Sequence, residues 1–135
     1  TIHTNKYGIF DVVATTGDQL YLGVEAEKIM SNFVAAVEAT RGQMVIYDNN
    51  IVITPYFARA GCKTRTWTQA WGGPSKPWLV PVKTTYECAR GYGRLGHGVG
   101  MAQVDASLRA KEEGVDWVAL VKYYYTGVEV ERVYE

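Results

Sequence analysis

One stretch of the sequence combines residue types that could bind a ligand: segment 96–103, which runs Gly-His-Gly-Val-Gly-Met-Ala-Gln. Glycines at alternate positions let a backbone come close to a ligand or to another strand. A helix predicted to follow the segment would present free N–H groups, which favour negative or oxygen-rich ligands. His97 could offer a ring nitrogen to a ligand or bond to a backbone carbonyl. We take His97, Gly98, Gly100 and Gln103 as candidate binding residues.

The same segment lacks the pattern of a nucleotide-binding loop. No Gly-Lys-Ser or Gly-Lys-Thr follows the glycines, so the segment is not a phosphate-binding loop. Gly91, Gly93 and Gly96 have neither the preceding strand nor the acidic partner that a dinucleotide-binding fingerprint requires. We expect no cofactor.

The composition indicates a globular protein that is rich in aromatic side chains. The 135 residues include 4 tryptophans, 10 tyrosines and 3 phenylalanines, which suit strands and turns and also suit stacking on sugars. The 14 basic residues balance the 14 acidic ones, which argues against broad electrostatic capture of nucleic acid or of an anionic membrane. No stretch approaches the ~20 apolar residues of a membrane helix, and no segment resembles a signal peptide.

The elements that would position segment 96–103 can be predicted from periodicity and turn residues. The length fits one small domain, and we predict a single α+β domain over residues 1–135, with a β-hairpin or antiparallel sheet and two to three short helices. Strands are predicted at 8–14, 19–22, 78–82 and 128–134, and a hairpin at 44–47 and 51–54 around the turn 48–50. Helices are predicted from Ser31 to Arg41, with Gly42 as the stop, from Met101 to Glu113, and after Asp116. The apolar face of the second is assigned to Met101, Val104 and Leu108.

The chain has two cysteines, Cys62 and Cys88, which cannot form a zinc site by themselves. They can form one disulfide in an oxidising compartment or be two unrelated buried thiols. Both lie in the irregular region between the hairpin and the glycine segment, so we expect them to be close in space.

Several segments, in order, resemble the stage II sporulation protein D family, which also includes amidase-enhancer proteins. The motif at 96–103 closely resembles the family signature. The resemblance covers residues 8–134 and includes four further segments: Ala-Val-Glu-Ala-Thr-Arg-Gly at 36–42, the loop 56–64, Trp-Gly-Gly with Pro-Trp-Leu at 71–79, and the closing helix and strand at 120–129.

The resemblance implies work on peptidoglycan outside the cytoplasm, in the cell envelope or after secretion. The best understood members of the family are lytic transglycosylases, in which a carboxylic acid protonates the glycosidic oxygen and the muramic C6 hydroxyl closes on C1. Such an acid needs a raised pKa to stay protonated. We expect this chain to be the C-terminal portion of such a domain and to bind glycan strands. The alternatives are a non-catalytic module that binds the wall or activates a wall hydrolase, and a stable fragment without activity.

The resemblance also suggests further binding residues. Lys63, Thr64 and Arg65, in the loop after the hairpin, could hold the lactyl carboxylate or acetamido groups of the sugar, or form a solvated loop. Tyr123 lies in a run of three tyrosines around a helix, of which at least one must face the core and one solvent or a groove. Trp67 and Trp71 could stack on a glycan, although packing against the hairpin is favoured.

Two departures from the family limit what is carried over. The family's catalytic Glu lies in an N-terminal segment, and we expect it upstream of Thr1, so no residue here is assigned as the acid. The carboxylates of this chain are expected to be solvated or to cap helices; those considered are Glu38, Glu87, Asp105, Glu112 and Glu113. Some family members bind zinc at the strand and turn equivalent to 13–18. Here Val13, Gly17 and Asp18 occupy those places, so no zinc site is expected.

Overall fold

A computed structural model of the chain describes residues 14–15 and 22–135 and divides the chain into two compact units. One unit comprises residues 1–43 and 132–135, and the other comprises residues 44–131. The strands predicted at 8–14 and 19–22 lie almost wholly outside the described residues, as do most of the positions 13–18 on which the zinc prediction rests. The assignment of residues 1–135 to a single domain stays a prediction.

The described part of the first unit consists mainly of two helices, α1 (Glu25–Ile29) and α2 (Ser31–Ala39), neither of which buries a residue. Helix α2 was expected, whereas α1 was not. Ser31 is the first residue of α2 and not its N-cap, which is Met30 and has no side-chain capping bond. At the other end the hydroxyl of Thr40 donates to the Ala36 carbonyl at 2.8 Å.

The second unit begins with the predicted hairpin, which is confirmed. Strands β1 (Gln43–Tyr47) and β2 (Asn50–Ile51) are antiparallel, with Ile46 opposite Ile51. Asp48 and Asn49 form the turn with φ of 49° and 58°, the left-handed backbone that a two-residue hairpin turn of matching twist requires. Strand β5 (Glu129–Arg132) lies on the other side of β1, which gives the sheet order β2-β1-β5.

A second, irregular set of strands supports the glycine segment. Strand β3 (Tyr56–Phe57) pairs in parallel with β4 (Met101–Ala102). Three isolated bridges extend this pairing along the chain: Arg59 with Leu95, Lys63 with Lys83, and Arg65 with Val99. Residues 59–65 therefore run beside residues 95–99. The strand predicted at 78–82 does not form, in accord with Pro81, which cannot donate to a ladder.

Four helices complete the second unit: α3 (Trp67–Trp71), α4 (Thr85–Ala89), α5 (Gln103–Glu113) and α6 (Trp117–Tyr124). The α+β class is confirmed, and the described residues add α1, α3 and α4 to the helices expected. Helix α5 ends at Gly114 in the left-handed conformation, and the Asp116 side chain accepts from the Ala119 N–H at 2.8 Å to cap α6. None of the described helices is long and apolar enough to cross a bilayer.

The core of the second unit lies between α5, α6 and the strands. Its buried members are Phe57, Ala60, Leu79, Val99, Ala102, Ala106, Tyr124, Tyr125 and Val128. The buried positions of α5 are Asp105, Ala106 and Arg109, so the face assigned from its larger apolar residues was wrong. A disulfide joins Cys62 to Cys88 in α4, with Cα atoms 4.4 Å apart, which confirms that the two are close and bridged.

Candidate functional site

The three alternate glycines of segment 96–100 make close approaches to the chain itself. Gly96, Gly98 and Gly100 all have φ in the left-handed region, at 104°, 85° and 78°. A Cβ on Gly96 would lie 2.9 Å from the Cβ of Phe57, and one on Gly100 would overlap the carbonyl oxygen of Pro55. Gly98 and Gly100 are also buried. The close approach that Gly100 permits is therefore to Pro55, not to a ligand.

His97 has both ring nitrogens bonded to backbone. The Val99 N–H donates to Nδ1 at 3.1 Å, so Nε2 carries the proton and donates to the Tyr56 carbonyl at 3.0 Å. Burial lowers the pKa of His97, and the bond to Tyr56 opposes this shift. The ring is thus neutral and fixed in one tautomer. Of the two alternatives considered for His97, the structure has the bond to a backbone carbonyl, and the role of His97 in binding stays a prediction.

His97 belongs to a series of neighbouring rings, here called the aromatic row: Phe57, His97, Trp71 and Trp67. Successive ring centroids are 5.3, 4.7 and 4.5 Å apart. The row passes from Phe57, which is 4% exposed, to Trp71, which is 48% exposed. The row therefore rests on the core at Phe57 and presents aromatic surface to solvent at Trp71, while Trp67 is partly buried against the core.

Helix α3 positions both tryptophans of the aromatic row. Thr66 and Gln69 form a capping box: the Gln69 N–H donates to the Thr66 hydroxyl at 3.1 Å, and the Thr66 N–H donates to the Gln69 side chain at 2.9 Å. The spacing of four residues puts Trp67 and Trp71 on one face of the helix. The ammonium of Lys76 lies 5.6 Å from the ring centroid of Trp67.

The hairpin packs against a different tryptophan, Trp78. Its indole N–H donates to the Ile53 carbonyl at 2.9 Å, and its ring lies 5.6 Å from that of Tyr47. The packing against the hairpin that was favoured for Trp67 and Trp71 is thus made by Trp78, while those two contact each other.

The predicted basic loop divides into residues of different kinds. Thr64 is buried, where its N–H donates to the Val82 carbonyl and its hydroxyl accepts from the Val82 N–H, so it holds the fold together. Lys63 is exposed, and Arg65 is half-buried beside the glycine segment, with its N–H donating to the Gly98 carbonyl at 2.6 Å. The structure thus brings Arg65 to His97 and Gly98.

Tyr123 and Gln103 lie on other elements. The hydroxyl of Tyr123 donates to the Lys83 carbonyl at 2.6 Å, and its ring lies 3.8 Å from the guanidinium carbon of Arg109. These contacts fix α6, and they leave the hydroxyl bonded within the chain. Tyr124 and Tyr125 are buried, which agrees with the expectation that at least one of the three consecutive tyrosines faces the core. Gln103 is exposed at the first position of α5.

Two of the carboxylates expected to be solvated or to cap helices, Glu87 and Asp105, are fully buried. Asp105 has a capping role, although for a neighbouring helix: its Oδ1 accepts from the N–H groups of Tyr86 and Glu87 at 2.8 and 3.2 Å, at the start of α4. Its Oδ2 accepts from the Tyr124 hydroxyl at 2.7 Å and lies 3.6 Å from Arg109. Asp105 therefore ties α4, α5 and α6 together.

Glu87 is less fully bonded. Its Oε1 accepts from the Ala60 N–H at 2.6 Å, whereas Oε2 has no hydrogen-bond partner among the described residues. Burial is the main cause that raises the pKa of Glu87. A raised pKa suits a general acid, but this carboxyl has no access to solvent, so it cannot reach a polymeric substrate.

Two further features lie away from the aromatic row. A cavity of about 300 Å³ in the first unit is lined by residues at the end of α2 together with Gln43 and Tyr134, none of which was a candidate binding residue. Over residues 14–15 and 22–135, no three His, Cys, Asp or Glu side chains come together as metal ligands would.

Comparison with known protein families and with curated proteins finds no match to this chain.

Proposed function

We propose that this chain binds the glycan strands of peptidoglycan, as a portion of a domain related to the stage II sporulation protein D family. The support from sequence is the ordered set of segments around Gly-His-Gly-Val-Gly-Met-Ala-Gln at 96–103. The support from geometry is that this motif holds one ring of the aromatic row, beside which Trp71 is half exposed. The disulfide is compatible with a location outside the cytoplasm.

The observation that carries the proposal is the aromatic row. Flat rings pack well against the C–H faces of pyranose sugars, because they bury apolar area at a small cost in conformational entropy. The capping box fixes the helix that carries Trp71, and two backbone bonds fix His97. A platform that is already ordered loses little entropy when it binds a strand.

The distribution of acids favours a binding role for this part of the molecule. Segment 55–100, which supplies the aromatic row, contains one acidic residue, the buried Glu87. Protonation of a glycosidic oxygen requires an acid within hydrogen-bond reach of it. In the lytic transglycosylases that the chain resembles, that acid is a Glu of an N-terminal segment, and no residue of this chain is assigned to the role. The second candidate, a non-catalytic module that binds the wall or activates an amidase, needs no such acid.

The binding proposal is tested with the variant Trp71→Ala and its matched control Trp117→Ala. Trp117 likewise lies at a helix end and is 42% exposed, but it belongs to α6 and not to the aromatic row. We expect Trp71→Ala to weaken binding to peptide-free glycan strands about five- to thirtyfold, as loss of about 1–2 kcal/mol implies. Trp117→Ala should bind as the wild type does. Equal affinities for all three proteins would refute the proposal.

Both candidate functions leave this chain without a catalytic acid of its own. The 135-residue chain should release no anhydromuramic ends from peptide-free strands, because without a protonated carboxyl the leaving oxygen departs as an alkoxide. Mass spectrometry of the digest measures this. Anhydromuramic ends that disappear when one carboxylate of this chain is replaced would show that the acid is present here.

A further inference from the structure

Two arginines, Arg65 and Arg94, converge on the backbone of Gly98. A Cβ on Gly98 would lie 2.9 Å from Cδ of Arg65 and 3.3 Å from Nε of Arg94. Only a residue without a side chain lets both stems lie against the chain at this point. Arg94 was not among the residues singled out from the sequence, because nothing in its local pattern distinguishes it from a solvated arginine.

Neither arginine forms an ion pair with a carboxylate among the residues that the structure describes. Other cations do: Arg90 lies 3.2 Å from Glu112, and Lys122 lies 2.5 Å from Glu129. Segment 55–100 holds 7 of the 14 basic residues of the chain and only one acidic residue, which is buried. The whole chain has a net charge of zero, but segment 55–100 carries a net positive charge. Both side chains lie against Gly98 without a paired carboxylate among the described residues, and a bound anion would supply the opposite charge.

The arginine pair lies beside the aromatic row. The backbone N–H of Arg65 donates to the Gly98 carbonyl, next in sequence to His97. The guanidinium of Arg65 donates to the Gln69 carbonyl in α3, the helix that carries Trp71. A polymer that stacks on the row would therefore bring its substituents to the two arginines. Guanidinium groups present planar pairs of donors that match the two oxygens of a carboxylate.

We propose that Arg65 and Arg94 bind a carboxylate carried by the glycan, so that this surface selects acidic strands over neutral strands of the same backbone. The inference rests on the proposed glycan binding and adds to it the chemical class of the substituent that is recognised. In peptide-free strands that carboxylate is the lactyl group of the muramic residues. A phosphate of an anionic polymer has related chemistry, and the experiment separates the two sources.

The test compares peptide-free strands with the same strands after their carboxylates are converted to primary amides. Arg94→Gln is the main variant, because the side chain of Arg94 is exposed. Arg65→Gln is the second variant. Arg90→Gln is the matched control, since Arg90 already pairs with Glu112. Affinities are measured by titration calorimetry at low and at high salt.

The wild type and Arg90→Gln should bind acidic strands about five- to tenfold more tightly than amidated strands, and added salt should reduce this preference. Arg94→Gln and Arg65→Gln should bind both kinds of strand alike, at the affinity of the wild type for amidated strands. A wild type without preference, or an Arg94→Gln protein that keeps it, would overturn the inference. An arginine-dependent affinity for polyphosphate that exceeds that for acidic strands would also overturn it. Failure of the wild type to bind either kind of strand would instead refute the glycan binding itself.

Discussion

Replacement of Gly100 by alanine tests whether the glycine motif is required by the fold. Gly100 is buried with φ of 78°, and a Cβ there would overlap the Pro55 carbonyl oxygen and lie 3.0 Å from the Tyr125 ring. That oxygen accepts from the Met101 N–H at 3.1 Å and from the Tyr125 hydroxyl at 2.7 Å. Alanine would therefore strain the backbone and displace an acceptor that serves two donors.

The size of the effect follows from these contacts. The left-handed backbone costs a residue with a Cβ about 1–2 kcal/mol. Each of the two hydrogen bonds to Pro55 contributes about 0.5–1.5 kcal/mol net. We expect Gly100→Ala to lower the free energy of unfolding by about 2–5 kcal/mol. This is a large part of the total free energy of unfolding of an ordinary domain, which is about 5–15 kcal/mol.

Alanine variants of two other glycines distinguish the cost of the backbone strain from the cost of the steric overlap with Pro55. Gly114 has φ of 67° and open space around it, so Gly114→Ala should cost only the backbone strain, about 1–2 kcal/mol. Gly93 has open space and a backbone outside the left-handed region, so Gly93→Ala should be neutral or slightly stabilising. Urea unfolding followed by far-UV circular dichroism measures all three. If Gly100→Ala is no less stable than Gly114→Ala, the packing explanation of the motif is refuted.

Three further predictions concern the disulfide and two titratable groups. Replacement of Cys62 and Cys88 by serine should lower the free energy of unfolding by about 3 kcal/mol, as the loop of 26 residues implies, and an unchanged urea midpoint would contradict this. Because burial raises the pKa of Glu87, its favourable contribution to stability is full below the ordinary pKa of 4.5 and is lost as the pH rises through the raised value. The wild type should therefore lose stability towards neutral pH relative to Glu87→Gln, and parallel pH profiles of the two proteins would argue against a buried, raised carboxyl. Nitrogen NMR at pH 7 should show a neutral His97 with the proton on Nε2, and a proton on Nδ1 would mean that the ring does not accept from Val99.

The parts of the fold that depend on local sequence could be predicted. Asp48 and Asn49 tolerate the left-handed turn, Asp116 caps a helix, and Gly114 ends one, and each of these effects operates within a few residues. The short helices α3 and α4 could not be found by periodicity, because five residues are too few to show an apolar face.

The buried face of α5 was misassigned for a physical reason. Hydropathy favours the side with Val104 and Leu108, whereas Asp105 and Arg109 lie on the side that packs. These two can be buried because Asp105 accepts bonds from α4 and α6, and Arg109 pairs with Asp105 and with Glu113. The partners of Asp105 come from distant segments, so no local pattern predicts them, whereas those of Arg109 lie one turn away on the same helix.

The candidate site shows the same division between local and distant information. The motif drew attention to residues 96–100, and the positive φ of its glycines agrees with their residue type. The bonds of His97 to Tyr56, 41 residues away, and the approach of Arg94 to Arg65 depend on the tertiary fold. Residue type alone could not show that both ring nitrogens of His97 bond to the backbone while its ring lies between Phe57 and Trp71.

The central claim, that the aromatic row binds glycan, is tested most directly through the indole N–H signals of the 4 tryptophans. In a titration of the ¹⁵N-labelled chain with peptide-free glycan strands, the signals of Trp67 and Trp71 should shift with a common, saturable dependence on strand concentration. The signal of Trp78, whose N–H is bonded to the Ile53 carbonyl, and that of Trp117 on α6 should stay in place. Shifts confined to Trp78 or Trp117, or no saturable shift of any of the four, would contradict the claim.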